Sequence, residues 1–430
     1  MKNLKKIIRI LFLCAIFFTA CAQSTAESKP VITDPSDTEI EEIVNEVPEE
    51  KEHIIKKAKL SVTGDLMVHS WQYNEAYDKS TGKYNFMHNF SEVKKYFKDS
   101  DLVIGNLETV FAGEDVGISD YPCFNTPDSF ADALKDAGFN LLTTANNHSM
   151  DKGQKGLLRT LEVLDDMGID HFGTYASQED RDSILIKDVN GIKIAFLSYT
   201  YGTNGIPVKE SYNANIMDED LMISDIKKAD ELADLVVVMP HMGNEYELIV
   251  KDVFKNWTNL MFDAGADIIL SSHPHVLQPM EYRKLTDENG EERLGFVIYS
   301  LGNCISSQTT PPRNAGVILN IEIQQINDND PTIEQVSFIP IWTQFRNVQN
   351  VDHFKVRSIY DPVSYTHLDV YKRQILNKFV SFLSLPKVIY QSFLLIKILV
   401  LFLVFMIGID FLWKLLKYFL HIVHLRVIIN

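Results

Sequence analysis

Between about Lys59 and Gln349, apolar runs of strand length alternate with amphipathic helical patterns, and this constrains the fold more than any other feature of the 430-residue chain. Leu60–Val68, Leu102–Leu107, Leu141–Ala145, Ile192–Tyr199, Leu235–Met239, Ile268–Ser271 and Phe296–Leu301 read as buried strands. Ser91–Lys98, Ser129–Ala137, Gln154–Met167, Glu219–Ala233 and Phe254–Ala264 read as helices, with Gly138, Gly168 and Gly265 where C-caps belong. Such alternation predicts a layered α/β domain. Gly316–Ile326 and Ile333–Trp342 have no helix between them, which predicts an antiparallel or mixed edge.

The polar residues fall where those strands end. Gly64-Asp65, Gly105-Asn106-Leu107-Glu108, Asn146-Asn147-His148-Ser149-Met150-Asp151-Lys152-Gly153, His241-Met242-Gly243-Asn244-Glu245 and His273-Pro274-His275 each follow an apolar run. Sites in α/β sheets are built at strand ends and the loops after them. Each residue alone has a structural reading, such as a cap or a turn, but five such clusters on one chain point to a site. Carboxylate, amide oxygen and imidazole suit divalent Mn, Fe or Zn, and a shared carboxylate can serve two ions. Asp65, Glu108, Asn147, His241, His273 and His275 have that chemistry, and the spacing fixes neither one ion nor two.

These motifs, together with Thr63-Gly-Asp-Leu-Met67, His273-Pro-His-Val-Leu-Gln278 and Ser300-Leu-Gly-Asn303, resemble the CapA-like family of bacterial poly-γ-glutamate capsule proteins. The resemblance covers about Leu60 to Gln349. It implies a calcineurin-like metallophosphoesterase fold, with two packed mixed β-sheets flanked by helices. It also implies that the six residues above are metal ligands and that His148 is the general acid beside the leaving group. Asn106, Asn146, Asp151, Glu245, Gln278 and Asn303 are then groups that orient ligands or touch substrate; Glu245 and Gln278 would orient imidazoles. The wider phosphoesterase pattern has Asp-x-His in the first motif, whereas Asp65 is followed by Leu66 and Met67, and His69 lies four residues on. A Met there is common in the CapA-like group, but the missing ligand makes a singly loaded site an alternative.

The function implied is a role in poly-γ-glutamate capsule synthesis, export or attachment by metal-dependent hydrolysis of a phosphoester or amide. The alternative is a non-catalytic export or anchoring module of a capsule synthase complex, which the missing His favours and His148 disfavours. An amide ligase would need a nucleotide site, and no Gly-x-x-x-x-Gly-Lys-Ser/Thr loop occurs. Lys152, Lys155 and Arg159 offer a local basic groove for an anionic cell-envelope polymer, or simply a solvated helix face. His53, His69, His88, His171 and His353 read as surface or packing residues. Cys123 and Cys304, far apart in sequence, read as unpaired.

The two ends differ from this domain, expected over 58–350. Lys2, Lys5, Lys6 and Arg9 precede an apolar run closed by Phe18-Thr19-Ala20-Cys21, which resembles a lipobox. Residues 1–21 are thus expected to direct export and lipid anchoring at the outer face of the bacterial membrane. Residues 22–57 form an expected solvated linker, acidic and without aromatics up to Glu50. The tail 363–430 opens on a string, Val363 to Gln374, that resembles a translated sequencing adapter, and is apolar after it. It is expected to be foreign or misframed, the alternative being a transmembrane segment. The net charge of −17 argues against a nucleic-acid partner. Setting aside the eight basic and two acidic residues of the tail and the four basic residues before Cys21 leaves −27 over residues 21–362. Binding of a polyanion then falls to metal and local cations.

Overall fold

The computed structural model describes residues 53–360 apart from 287–289, 291, 346, 349–350 and 353. The expected lipobox, the linker up to residue 52 and the tail lie outside the described residues. The first sheet opens with four strands that pair parallel in chain order: β1 (Ile55–Leu66), β2 (Leu102–Leu107), β3 (Leu141–Thr143) and β4 (Asp170–Phe172). The chain then crosses to a second sheet made of β5 (Leu185–Val189), β6 (Ile192–Thr200), β7 (Leu235–His241), β8 (Ile268–Leu270), β9 (Met280–Thr286) and β10 (Glu292–Ile298). Its order is β9-β10-β8-β7-β6-β5, parallel in the middle and antiparallel at both edges. The return to the first sheet brings β11 (Asn303–Ile305), β12 (Ala315–Ile326), β13 (Thr332–Gln344) and β14 (Lys355–Ser358). The path β14-β13-β12-β1-β2-β3-β4 has β11 paired parallel to the end of β1.

Period-two alternation explains how the sheets pack. In β7, Leu235, Val237 and Met239 face the core between the sheets, while Val236 and Val238 join an outer cluster. In β6, Ile192, Ile194 and Phe196 point inward and Ala195, Leu197 and Tyr199 outward. Both faces are covered, which is why such strands are continuous apolar runs. Leu60, Val62 and Ile104 of the first sheet meet Val237, Ile268 and Phe296 of the second in one core.

Among the described residues the helices are α1 (Ser70–Ala76), α2 (Ser129–Ala137), α3 (Gly153–Asp166), α4 (Gln178–Asp182), α5 (Glu219–Leu232) and α6 (Asp252–Asp263). Phe130 and Leu134 of α2 and Leu164 of α3 cover the first sheet. Met222 and Ile226 of α5 and Met261 and Phe262 of α6 cover the second. The layers are therefore helix, sheet, sheet, helix, the α/β architecture the sequence predicts. Asp218 caps α5 through its side chain on the Leu221 N–H at 3.0 Å, and Gly138, at φ 109°, closes α2.

Two expectations differ from the structure. Ser91–Lys98 holds only a 3₁₀ turn at Lys94–Tyr96. Val93 and Phe97 are buried there as a helical pattern would require, yet the N–H groups of Tyr96 and Phe97 reach back only three residues, so packing of two anchors overrides a short helix. The folded body also exceeds 58–350: Ile55–Lys57, assigned to the linker, are the start of β1, and β14 ends at Ser358. Among the described residues no helix is long and apolar enough to cross a membrane.

Candidate metal centre

The polar strand ends converge on one edge of the two sheets. Asp65 comes from β1, Asn106 and Glu108 from β2 and the residue beyond it, and Asn146 to Asp151 from the β3–α3 loop. His241 ends β7, His273 and His275 lie in the loop after β8, and Asn303 opens β11. All of these are buried.

Three groups of ligand atoms each fall within 4.8 Å of one another: Asp65, Glu108 and His275; Glu108, His241 and His273; and Glu245, His273 and His275. Glu108 joins the first two. Its Oε1 lies 3.7 Å from Nε2 of both His241 and His275, is buried, and has no hydrogen-bond partner. Asn147 places its Oδ1 2.7 Å from His241 Nε2, so amide and imidazole aim at the same point. Asn106 ties the first two groups together: its amide donates to Asp65 Oδ1 at 2.8 Å and lies 3.2 Å from His241 Nδ1. Asn146 in turn donates to Asn106 Oδ1 at 3.2 Å and to the Leu107 carbonyl at 2.7 Å. Asn303 Oδ1 and Asp65 Oδ2 both face His275 Nδ1, at 3.1 and 2.9 Å.

Burial dominates the electrostatics. The Glu108 carboxyl is pushed well above the carboxylate range by burial and then by the neighbouring Asp65 charge. His241 is pushed well below its ordinary value by burial and then by His273 and His275. His273 falls to about 3 by burial and then through His275, and its Nδ1 has no partner. Left to themselves, these groups are neutral, and Glu108 Oε1 and His273 Nδ1 are unsatisfied, which is costly in the interior. A divalent cation reverses both effects, since its charge favours the carboxylate and its coordination satisfies the free atoms. The donor set of carboxylate oxygen, amide oxygen and imidazole nitrogen fits such an ion.

The backbone carries strain at this place. Of the six non-glycine residues with positive φ among those described, His273 (101°), His275 (54°), Tyr246 (66°) and Asn204 (51°) all belong to the centre or its rim. Gly243, at φ 133°, lets the β7–α6 loop press on Pro274, where a Cβ would meet Pro274 Cγ at 2.6 Å.

His148 adds a proton-handling group. Its Nδ1 donates to Asp151 Oδ2 at 2.7 Å, and that carboxylate oxygen also accepts the Phe124 N–H at 2.6 Å. The Phe124 ring packs edge-on against the imidazole at 4.6 Å. With Nδ1 so held, Nε2 is the free nitrogen.

Of the other residues singled out in the sequence, Gln278 and Arg159 stand elsewhere than suggested, while His69, Cys123 and Cys304 stand as expected. Gln278 holds the Glu247 carbonyl at 2.8 Å, so it braces the loop and not an imidazole. His69 does not replace the missing first-motif ligand, because its Nδ1 accepts the Ser307 N–H at 3.3 Å and its ring packs on Phe124. Arg159 is held by Asp128 through two hydrogen bonds, 2.8 and 2.7 Å, and by the Phe111 carbonyl, so it does not furnish a basic groove. Cys123 and Cys304 are free thiols. The sequence reading missed four neighbours of the centre. Tyr201 packs against His273 with ring centroids 4.6 Å apart, and its hydroxyl is pushed up to about 12 by burial and then by Glu245. Asn204 accepts from Asn147 Nδ2 at 3.2 Å. Tyr246 lies 6.1 Å from His275, and Arg313 sits 4.7 Å over the Tyr246 ring.

The profile of the family described as bacterial capsule synthesis protein PGA_cap matches residues 59–308, which span every one of these ligands. The chain belongs to that family. Among its relatives, the capsule biosynthesis protein CapA of Bacillus anthracis is 32% identical over 263 residues, 59% of this chain and 61% of that protein. The PGA biosynthesis protein CapA of Bacillus subtilis is 32% identical over 268 residues, 61% of this chain and 67% of that protein. The chain thus matches less than two thirds of the first relative's length. Among solved structures, a calcineurin-like phosphoesterase, YfkN of Bacillus subtilis, aligns at 15% identity and a TM-score of 0.39, covering 76% of this chain and all of that one. A likeness that distant says nothing about the chemistry of this site.

Proposed function

We propose that this PGA_cap-family chain serves capsule synthesis as a divalent-metal-dependent hydrolase of a phosphoester or amide in an anionic envelope polymer of the poly-γ-glutamate kind. The observation that carries the reading is the His148–Asp151 pair beside a cluster of ligand atoms joined by Glu108. A metal that only held the fold together would not need it.

In this reading Asp65, Glu108 and His275 hold one cation position, and Glu108, Asn147, His241 and His273 the other. A divalent cation there supplies polarisation of the scissile group's oxygen and activation of water at neutral pH. The remaining work belongs to the chain. Asn106 fixes the carboxylates and His241 relative to one another, Asn303 fixes His275, and Asp151 holds the His148 tautomer so that Nε2 delivers a proton to the leaving group. The names of the relatives support the capsule context, and the residues up to Cys21 support an exported, lipid-anchored location.

His148→Ala is expected to lower kcat on a phosphodiester or a γ-glutamyl polymer by about 10²–10⁴-fold while bound metal, measured by elemental analysis, stays unchanged. Met67 in place of the His of the wider pattern leaves the first cation position with fewer protein ligands and favours a second reading, a metal-loaded scaffold for a synthase complex. Metal uptake without turnover of either substrate class by the wild type would decide for it.

A further inference from the structure

We propose that Arg313 is the recognition residue for an oxyanion, carboxylate or phosphate, carried by the substrate beside the scissile group. This rests on the hydrolytic reading and names the substrate feature that the rim selects. Arg313 lies in the β11–β12 loop, and one side chain links its backbone to the centre. Asn303 Nδ2 donates to the Arg313 carbonyl at 2.6 Å, while Asn303 Oδ1 lies 3.1 Å from His275 Nδ1. A second bond, from the Arg313 N–H to the Thr310 carbonyl at 2.9 Å, fixes the preceding peptide, so the backbone is held on both sides of the Arg313 Cα. The guanidinium sits 4.7 Å over the Tyr246 ring, which packs 6.1 Å from His275, so the cation is held at the lip of the cluster.

No carboxylate of the described residues pairs with the guanidinium directly, although Arg313 and Glu245 both hydrogen-bond the Tyr246 hydroxyl. Among the described residues Arg159 pairs with Asp128, Arg181 with Asp225, Arg283 with Glu281, Arg293 with Asp267 and Arg357 with Glu92, whereas Arg313 has no carboxylate within ion-pair distance. A guanidinium has five N–H donors, so an Arg that stacks on a ring and spends one on the Tyr246 hydroxyl still has others for a two-point contact with an oxyanion. In a region carrying −27 over residues 21–362, a fixed cation beside the metal ligands is what an anionic substrate requires. The centre itself engages the oxygen of the bond to be cleaved, so Arg313 is left to read a neighbouring anionic group, such as the side-chain or α-carboxylate of an acidic polymer or a second phosphate.

The test is equilibrium binding of two probes, a γ-linked glutamate oligomer and inorganic phosphate, to the metal-loaded full-length protein. Wild type, Arg313→Gln and Arg313→Lys are compared, with metal content measured alongside. The proposal expects Arg313→Gln to weaken at least one probe by about 10-fold or more, Arg313→Lys to fall between, and bound metal to be unchanged. The probe that loses more identifies the anion as carboxylate or phosphate. Equal affinities in wild type and Arg313→Gln for both probes, no binding of either probe by wild type, or loss of metal in Arg313→Gln would each overturn it. Arg313-dependent binding without turnover would instead defeat the hydrolytic reading and leave this assignment standing.

Discussion

Glu108 is the residue on which the centre turns. A fully buried carboxylate with a free oxygen between two imidazoles is unfavourable alone and well placed around a cation. Because its pKa is raised in the folded state, the metal-free protein loses stability as pH rises above about 4.5, the unfolded value, toward the folded one. Metal-free Glu108→Gln is therefore expected to melt no lower than metal-free wild type at pH 8, while added Mn²⁺ raises the Tm of wild type only. Calorimetry at both metal levels checks this. His273 has the opposite sign. Its folded value of about 3 lies below 6.5, so metal-free stability is complete above 6.5 and declines as pH falls toward 3. His273→Asn should flatten that acid slope of Tm, and an unchanged slope would contradict the burial argument. The candidate ligands were legible in sequence as a cluster because they stand at or just beyond the ends of apolar runs. Tyr201, Asn204, Tyr246 and Arg313 were not, since they sit in loops with no periodic signal and reach the centre only through contacts distant in sequence.

Elements buried on both faces were the legible ones. β6, β7 and the second part of β10, from Phe296, read as apolar runs because the core covers one side and helices or neighbouring strands the other, and α2 was read to the residue through its apolar face and Gly138. The edge strands β5 and β9 escaped notice because their side chains are mostly half-exposed or exposed, so they carry no apolar run. The β1 end illustrates how an element aims a ligand. Gly64, next to Asp65, lies against the Gly302 carbonyl, where a Cβ would collide with backbone that cannot swing away, and the Asp65 N–H donates to that same carbonyl at 3.0 Å. Gly64→Ala should cost about 2–4 kcal/mol in urea unfolding and reduce metal uptake together with stability. A cost below about 0.5 kcal/mol would show that the strands can part without disturbing the site.

For the whole molecule, two sheets packed face to face bring strand ends from separate halves of the chain to one edge, so that a single carboxylate serves ligands from both sheets. That arrangement was legible as a layered α/β domain with polar strand ends. The pairing of β11 with β1, which sets Asn303 beside Asp65, was not, because it joins segments more than 200 residues apart. On the proposed reading the net charge of −27 over residues 21–362 leaves binding of an anionic polymer to the metal and Arg313 together, so chelation should weaken polymer binding, as measured by co-sedimentation at fixed ionic strength. The most direct measurement is Mn²⁺ titration of metal-free wild type and Glu108→Gln, with bound ion counted by elemental analysis. The account predicts at least one ion per wild-type chain and an affinity about 100-fold or more weaker in the variant. Wild type that takes up no Mn²⁺, Fe²⁺ or Zn²⁺, or uptake that is the same in both proteins, would contradict it.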